Sequence, residues 1–232
     1  MSKETKKDEG LLMMLVSWVM QMAQSYQRRK NDNNMPYSIH PQMVATNVPL
    51  FLSETGNLRA RLAAICHDVV EDCTPEDLIR TFEYWNAHLP HFAIDAKPSG
   101  NVRDDLFVLL QRCVEVSGYP LVEAEKIISA VEELSVPEEM TGVYELGDKK
   151  AKKAWEASPE RMQNMSDEAL MVMWADKSYN LRSPIPGRNP VKEQLKYGRL
   201  FFNIQSEMNT RGYAPRAVPS DIYSAMELYT QN

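Results

Sequence analysis

Residues 62–73 read LAAICHDVVEDC. Leu62, Ala63, Ala64, Ile65, Val69 and Val70 recur as on a buried helix, yet His67, Asp68, Glu71 and Asp72 fall among them. Burying an unpaired carboxylate is costly, so several beside an imidazole require either water or a cation against that face. On one continuous helix from about Leu58 to Cys73, His67 pairs with Glu71 and Asp68 with Asp72 at four-residue spacing, which predicts two adjacent ridges on one side. An isolated HD followed by ED reads equally well as a solvated polar face. The rest of the chain decides between the two.

Outward from this stretch the apolar spacing stays at three and four, with few alternating runs, and predicts an all-α fold. The charged MSKETKKDEG is a flexible leader over residues 1–10, and residues 11–232 form a single domain. A first helix is predicted from about Leu11 to Arg28, ending in KNDNNMP. A second starts near HPQMVATNVPLFLSE with Pro41 in its first turn, and TGN punctuates before the 58–73 helix. TPEDLIRTFEYWNAH carries a capping signature, Thr74 with Asp77 three residues on. Residues 86–104 mix Pro, Gly and polar groups and read as an insertion, one able to act as a lid. Helices follow at about 105–116 and 121–134, and SVPEEMTGVYELGDKK is irregular. MSDEALMVMWADKSYNLRS is a helix capped by Ser166, and the last helices run over about 190–208 and from about Ser220.

At 232 residues with 44% hydrophobic content the chain can bury a substantial core. The net charge of −6 supplies no general basic field for a polynucleotide backbone, so a long nucleic acid is not the expected partner. The longest apolar stretch, LLMMLVSWVMQMA at 11–23, is too short to span a membrane and is interrupted by Ser17 and Gln21. No small-residue cleavage site follows it, which predicts a cytoplasmic protein. Cys66, Cys73 and Cys113 form no C-x-x-C pair and are expected as buried thiols. Nothing in the sequence sets an oligomeric state.

Two other places bear on the HD stretch. YSIHPQMVA puts His40 at a helix start, and MVMWADKSYNLRS puts Asp176 and Asn180 one turn apart on an apolar helix. Taken singly, His40 reads as a capping or core histidine and Asp176 as an ion-paired helix residue. The order H…HD…D, formed by His40, His67, Asp68 and Asp176, is the pattern that gives the HD phosphohydrolase superfamily its name. Two imidazoles and two carboxylates suit a divalent metal of intermediate hardness, with positions open to water and a substrate oxygen. The opening stretch then tolerates its carboxylates because a cation is expected there.

The resemblance is narrower than the superfamily. AQSYQRRKNDNNMPYSIHPQMVA, AAICHDVVEDC, AVEELS and ALMVMWADKSYNLRS resemble the successive motifs of the RelA/SpoT-type alarmone hydrolase family, including its small stand-alone, Mesh-type members. The blocks span roughly residues 23–183. The resemblance implies an HD-domain helical bundle with a metal site between helices and Mn²⁺ at one ion per chain. The implied reaction removes the 3′-pyrophosphate of (p)ppGpp. It further implies His40, His67, Asp68 and Asp176 as metal ligands and Glu71 and Asp72 as the catalytic acidic pair, with Arg29, Lys30 and Asn180 at substrate-contacting positions. Tyr197 in EQLKYGRLFF is a further candidate for ribose or phosphate contact, with core packing as its alternative role.

Hydrolysis of a phosphate ester needs an activated water, neutralised phosphoryl oxygens and a route for protons, and this residue set matches those needs. The chain departs from the family pattern at Met173, where a lysine is usual, and at Gln24, where a histidine is common. Neither departure removes a ligand. The remaining length holds no room for a synthetase domain. A dNTP, a nucleoside monophosphate or the 2′-phosphate of NADPH is an alternative substrate, and a non-catalytic nucleotide-binding module is the alternative of another class.

Overall fold

The computed structural model describes residues 7–25, 36–135, 155–182 and 190–214. Asp8 starts the first helix, α1 (Glu9–Ala23), by accepting the backbone N–H of Leu11, two residues before the start that the apolar pattern predicts. The helix ends at Ala23 rather than Arg28. α2 (Ile39–Asn47) carries Pro41 in its first turn as expected and stops before Pro49, which cannot donate to a continuing ladder.

Two sequence expectations fail next. α3 (Glu54–Cys66) is capped by Ser53, so Thr55, Gly56 and Asn57 lie within its first turn and do not interrupt the chain. Gly56 serves packing: a Cβ there would sit 2.9 Å from the Leu52 Cβ. The predicted single helix from Leu58 to Cys73 is also broken. α3 ends at Cys66, His67 and Asp68 form a turn, and the short α4 (Val69–Asp72) resumes beyond them. On an unbroken helix successive side chains diverge by about 100°, so His67 and Asp68 would not aim at one point. With Asp68 at φ −93° and ψ −7° they do.

α5 (Pro75–His88) opens on the predicted capping box, with Thr74 and Asp77 satisfying each other's backbone N–H. A short 3₁₀ turn (Pro90–Phe92) and an irregular stretch lead to α6 (Val102–Val116), then α7 (Val122–Leu134). The 86–104 connection is bound to its own flanks rather than to the site. Trp85 Nε1 and Arg112 Nε both donate to the Phe92 carbonyl at 2.8 Å, and Asn86 exchanges two hydrogen bonds with the Ile94 backbone. Asp105 accepts the N–H groups of Ser99 and Gly100, the latter at φ +83°. The short α8 (Pro159–Asn164) has no counterpart in the sequence reading. α9 (Asp167–Arg182) follows, with Ser166 accepting the Ala169 N–H as predicted, and α10 (Pro190–Thr210) packs on it. The irregular stretch predicted after Ser135 and the helix predicted from Ser220 lie outside the described residues, as do residues 1–6.

The described residues contain helices and no strand, in agreement with the all-α expectation. α3 and α9 form the centre. Leu62–Cys66 of α3 and Ala169–Ala175 of α9 are buried throughout, the pattern of helices surrounded by others. α9 packs against α2, α3, α7 and α10, while α3 also meets α1 and α7. Arg59 of α3 ties these layers together through Glu123 of α7 at 3.1 Å and Glu168 of α9 at 2.6 Å. Cys66, Cys73 and Cys113 are buried thiols outside any disulfide among the described residues, as the sequence predicts. Burial pushes Cys66 and Cys113 above the ordinary thiol range.

Candidate metal centre

α2, the α3–α4 turn and α9 each deliver part of one cluster. His40 lies in the first turn of α2, His67 and Asp68 form the turn, and Asp176 lies two-thirds of the way along α9. His40 Nε2 is 3.1 Å from Asp176 Oδ1 and 3.6 Å from Asp68 Oδ2. His67 Nε2 is 3.0 Å from Asp68 Oδ1 and 4.0 Å from Asp176 Oδ1. His40, His67 and Asp176 each offer an atom within 4.8 Å of the other two, and all three are buried. Metal–ligand bonds of about 2.0–2.2 Å put neighbouring donor atoms roughly 3 Å apart and opposite ones roughly 4 Å apart. The cluster has those spacings.

The hydrogen bonds around the cluster suit cation binding. Ala64 O lies 2.7 Å from His67 Nδ1, so that nitrogen donates and Nε2 is turned into the cluster, facing the Asp68 carboxylate. Asp176 Oδ1 accepts from Asn180 Nδ2 at 2.7 Å, and Oδ2 accepts from Lys177 Nζ at 2.6 Å. Tyr37 donates to Asp68 Oδ2 at 2.8 Å.

Electrostatics point the same way. Burial alone would lower His67, but the Asp68 charge and hydrogen bond, with Asp176 behind them, push it up to about 9. Burial likewise opposes ionisation of Asp68 and Asp176. The His67 charge holds Asp68 below the usual carboxylate range, and Lys177 with His40 holds Asp176 well below it. Without a metal, a proton on His67 thus meets the demand of the carboxylates for positive charge.

A cavity of about 80 Å³ opens beside the cluster, lined by His67, Asp68, Glu71, Asp176 and Lys177 together with Leu134, Glu156, Arg161, Val172 and Met173. Glu71 is exposed on this cavity. Asp72, the next residue, hydrogen-bonds to Tyr37. Its carboxyl is raised by the protein packed around it and by the Asp68 and Glu71 charges, against the Tyr37 contact. Met173 stands on the wall where the family pattern has a lysine, while Lys177 brings an ammonium group to the same space.

His40, His67, Asp68 and Asp176 therefore come together, with Glu71 and Asp72 one turn beyond. Asn180 reaches the group through its amide on Asp176. Arg29 and Lys30 lie outside the described residues, and so does the Tyr197 side chain on α10. Sequence reasoning missed Tyr37, Lys177 and Arg161. Tyr37 was findable, since it sits three residues before His40 and hence over the same turn. Arg161 comes from α8, whose existence the apolar spacing did not signal.

Comparison with known proteins gives two findings. The HD-domain family model matches residues 37–181, which take in all four residues of the cluster. A solved structure described as a metazoan ortholog of SpoT that hydrolyzes ppGpp and plays a role in starvation responses is similar at 18% identity. That alignment has a TM-score of 0.52 and covers 97% of each chain, a likeness of fold. No curated protein matches. Among the described residues, no helix is long and apolar enough to cross a membrane.

Proposed function

The chain belongs to the HD-domain family, and on that premise we propose that it is a Mn²⁺-dependent pyrophosphohydrolase that cleaves (p)ppGpp at the 3′ position to GDP or GTP and pyrophosphate. The observation that carries the proposal is the His40–His67–Asp68–Asp176 cluster opening onto a cavity whose wall includes Glu71. The alarmone substrate is supported by the RelA/SpoT-type form of the sequence blocks and by the activity stated for the structural neighbour.

The four clustered side chains would hold one divalent ion. Such an ion, when bound, lowers the pKa of a water and neutralises phosphoryl oxygens. Glu71 Oε, exposed on the cavity, takes the proton from the attacking water. Asp72, whose carboxyl is shifted toward the protonated form, returns a proton to the leaving oxygen. Lys177 and Asn180 keep Asp176 oriented, each occupying one of its oxygens. Arg29 and Lys30 hold the guanosine and its phosphates, with Asn180 and Tyr197 at the edge of the same substrate.

The test is a nucleotide panel with Mn²⁺: ppGpp, a dNTP, a nucleoside monophosphate and NADPH. Pyrophosphate and GDP from ppGpp are the expected products. Triphosphate from the dNTP or orthophosphate from NADPH, at much higher efficiency, would overturn the substrate assignment. No turnover of any of them, with metal bound, would favour the binding module.

A further inference from the structure

The two imidazoles of the cluster are held in different ways. His67 is pinned by its Nδ1 hydrogen bond to the Ala64 carbonyl. His40 Nδ1 is buried and has no hydrogen-bond partner among the described residues. A ligating histidine ordinarily fixes its ring by donating the second N–H, so contacts of another kind must orient His40. Those contacts are rings: Tyr179 packs at 5.1 Å and 57°, His67 at 5.4 Å and 58°, and Tyr37 stands edge-on with its centroid 6.2 Å away at 72°.

Tyr37 also reaches a carboxylate of the cluster. Its hydroxyl donates to Asp68 Oδ2, the oxygen that faces His40 Nε2 at 3.6 Å, while Asp68 Oδ1 faces His67 Nε2 at 3.0 Å. One phenol therefore fixes which Asp68 oxygen serves which histidine. The same hydroxyl hydrogen-bonds to Asp72. Its neighbourhood in the chain makes this possible, because the Tyr37 carbonyl accepts the His40 N–H at 3.0 Å and starts the turn that carries both side chains.

We propose that Tyr37 is a positioning residue of the metal centre: its ring sets the plane of His40, and its hydroxyl holds the Asp68 carboxylate in the ligating rotamer and keeps Asp72 beside it. The inference rests on the reading of His40 and Asp68 as ligands. A neutral phenol suits the task, since it donates to a carboxylate without adding a charge that competes with a cation.

The experiment is calorimetric titration of Mn²⁺ into the metal-free full chain for wild type, Tyr37→Phe and Tyr37→Leu, with the metal-free Tm of each. Tyr37→Phe should bind one ion about tenfold or more weakly at unchanged Tm, and Tyr37→Leu more weakly still, in the range of supporting contacts around metal ligands. Wild-type affinity in Tyr37→Phe would overturn the inference and leave the ligand assignment standing. Absence of Mn²⁺ binding by the wild type would overturn both. Should Tyr37→Phe lower the metal-free Tm, the titration is repeated at a temperature where both metal-free chains are fully folded; an affinity loss of about tenfold or more there supports the inference, and wild-type affinity overturns it.

Discussion

Replacing Arg59 with Met should destabilise the fold by about 2–3 kcal/mol, and the figure follows from how its partners are buried. The guanidinium bridges Glu123 and Glu168, whose side chains are 13% and 18% exposed, with Arg59 itself at 17%. Nε adds a second hydrogen bond to Glu168 at 2.8 Å. Breaking a fully buried pair costs about 3–5 kcal/mol because a charge is stranded, and an exposed pair contributes about 0.2–1 kcal/mol. Two carboxylates with a narrow path to water fall between these limits. For a chain of this size each kcal/mol moves Tm by about 2–4 °C, so the expected loss is roughly 4–12 °C. Met retains much of the arginine stem, which isolates the charge. Urea unfolding at neutral pH is the assay, read as a change in midpoint at constant slope. Adding Glu123→Gln and Glu168→Gln should recover much of the loss, since the stranded charges cause it. A loss under about 1 kcal/mol in the single variant would refute the reasoning that this triad bolts α3 to α7 and α9.

Two further outcomes are expected. Glu71→Gln keeps the shape of the side chain and removes the proposed base, so on the proposed mechanism turnover of ppGpp should fall by roughly 10²-fold or more while metal content persists; a wild-type rate would make Glu71 a structural residue. In metal-free protein the His67 pKa is raised from 6.5 to about 9, so its contribution to stability is full below pH 6.5 and is lost as pH rises through 9. That contribution is about 3 kcal/mol, and Tm of the metal-free chain should drop over this window; a flat profile there would contradict the electrostatic account of the cluster.

How far the sequence revealed all this depended on whether the controlling forces were local. The capping box at Thr74 and Asp77, the Ser166 cap and the apolar spacing of α9 are local, and each appears in the fold as read. The break after Cys66 is not local. LAAICHDVVEDC has the spacing of one helix, and the turn at His67 and Asp68 becomes intelligible only where both side chains converge with His40 and Asp176 from other helices. Gly56 misled for a related reason: glycine signals a break by its backbone freedom, but here it makes room for Leu52. The H…HD…D order was legible because ligand types are few and their chemistry is specific. Tyr37 and Lys177 were passed over because tyrosine and lysine are common for many reasons, and only the contacts to Asp68 and Asp176 single them out.

The central claim is that His40, His67, Asp68 and Asp176 form one metal centre, and metal analysis of the purified chain after Mn²⁺ loading and desalting tests it most directly. The account predicts about one ion per chain for the wild type and loss of that ion in both His67→Ala and Asp68→Ala. Unchanged stoichiometry in both folded variants would contradict it.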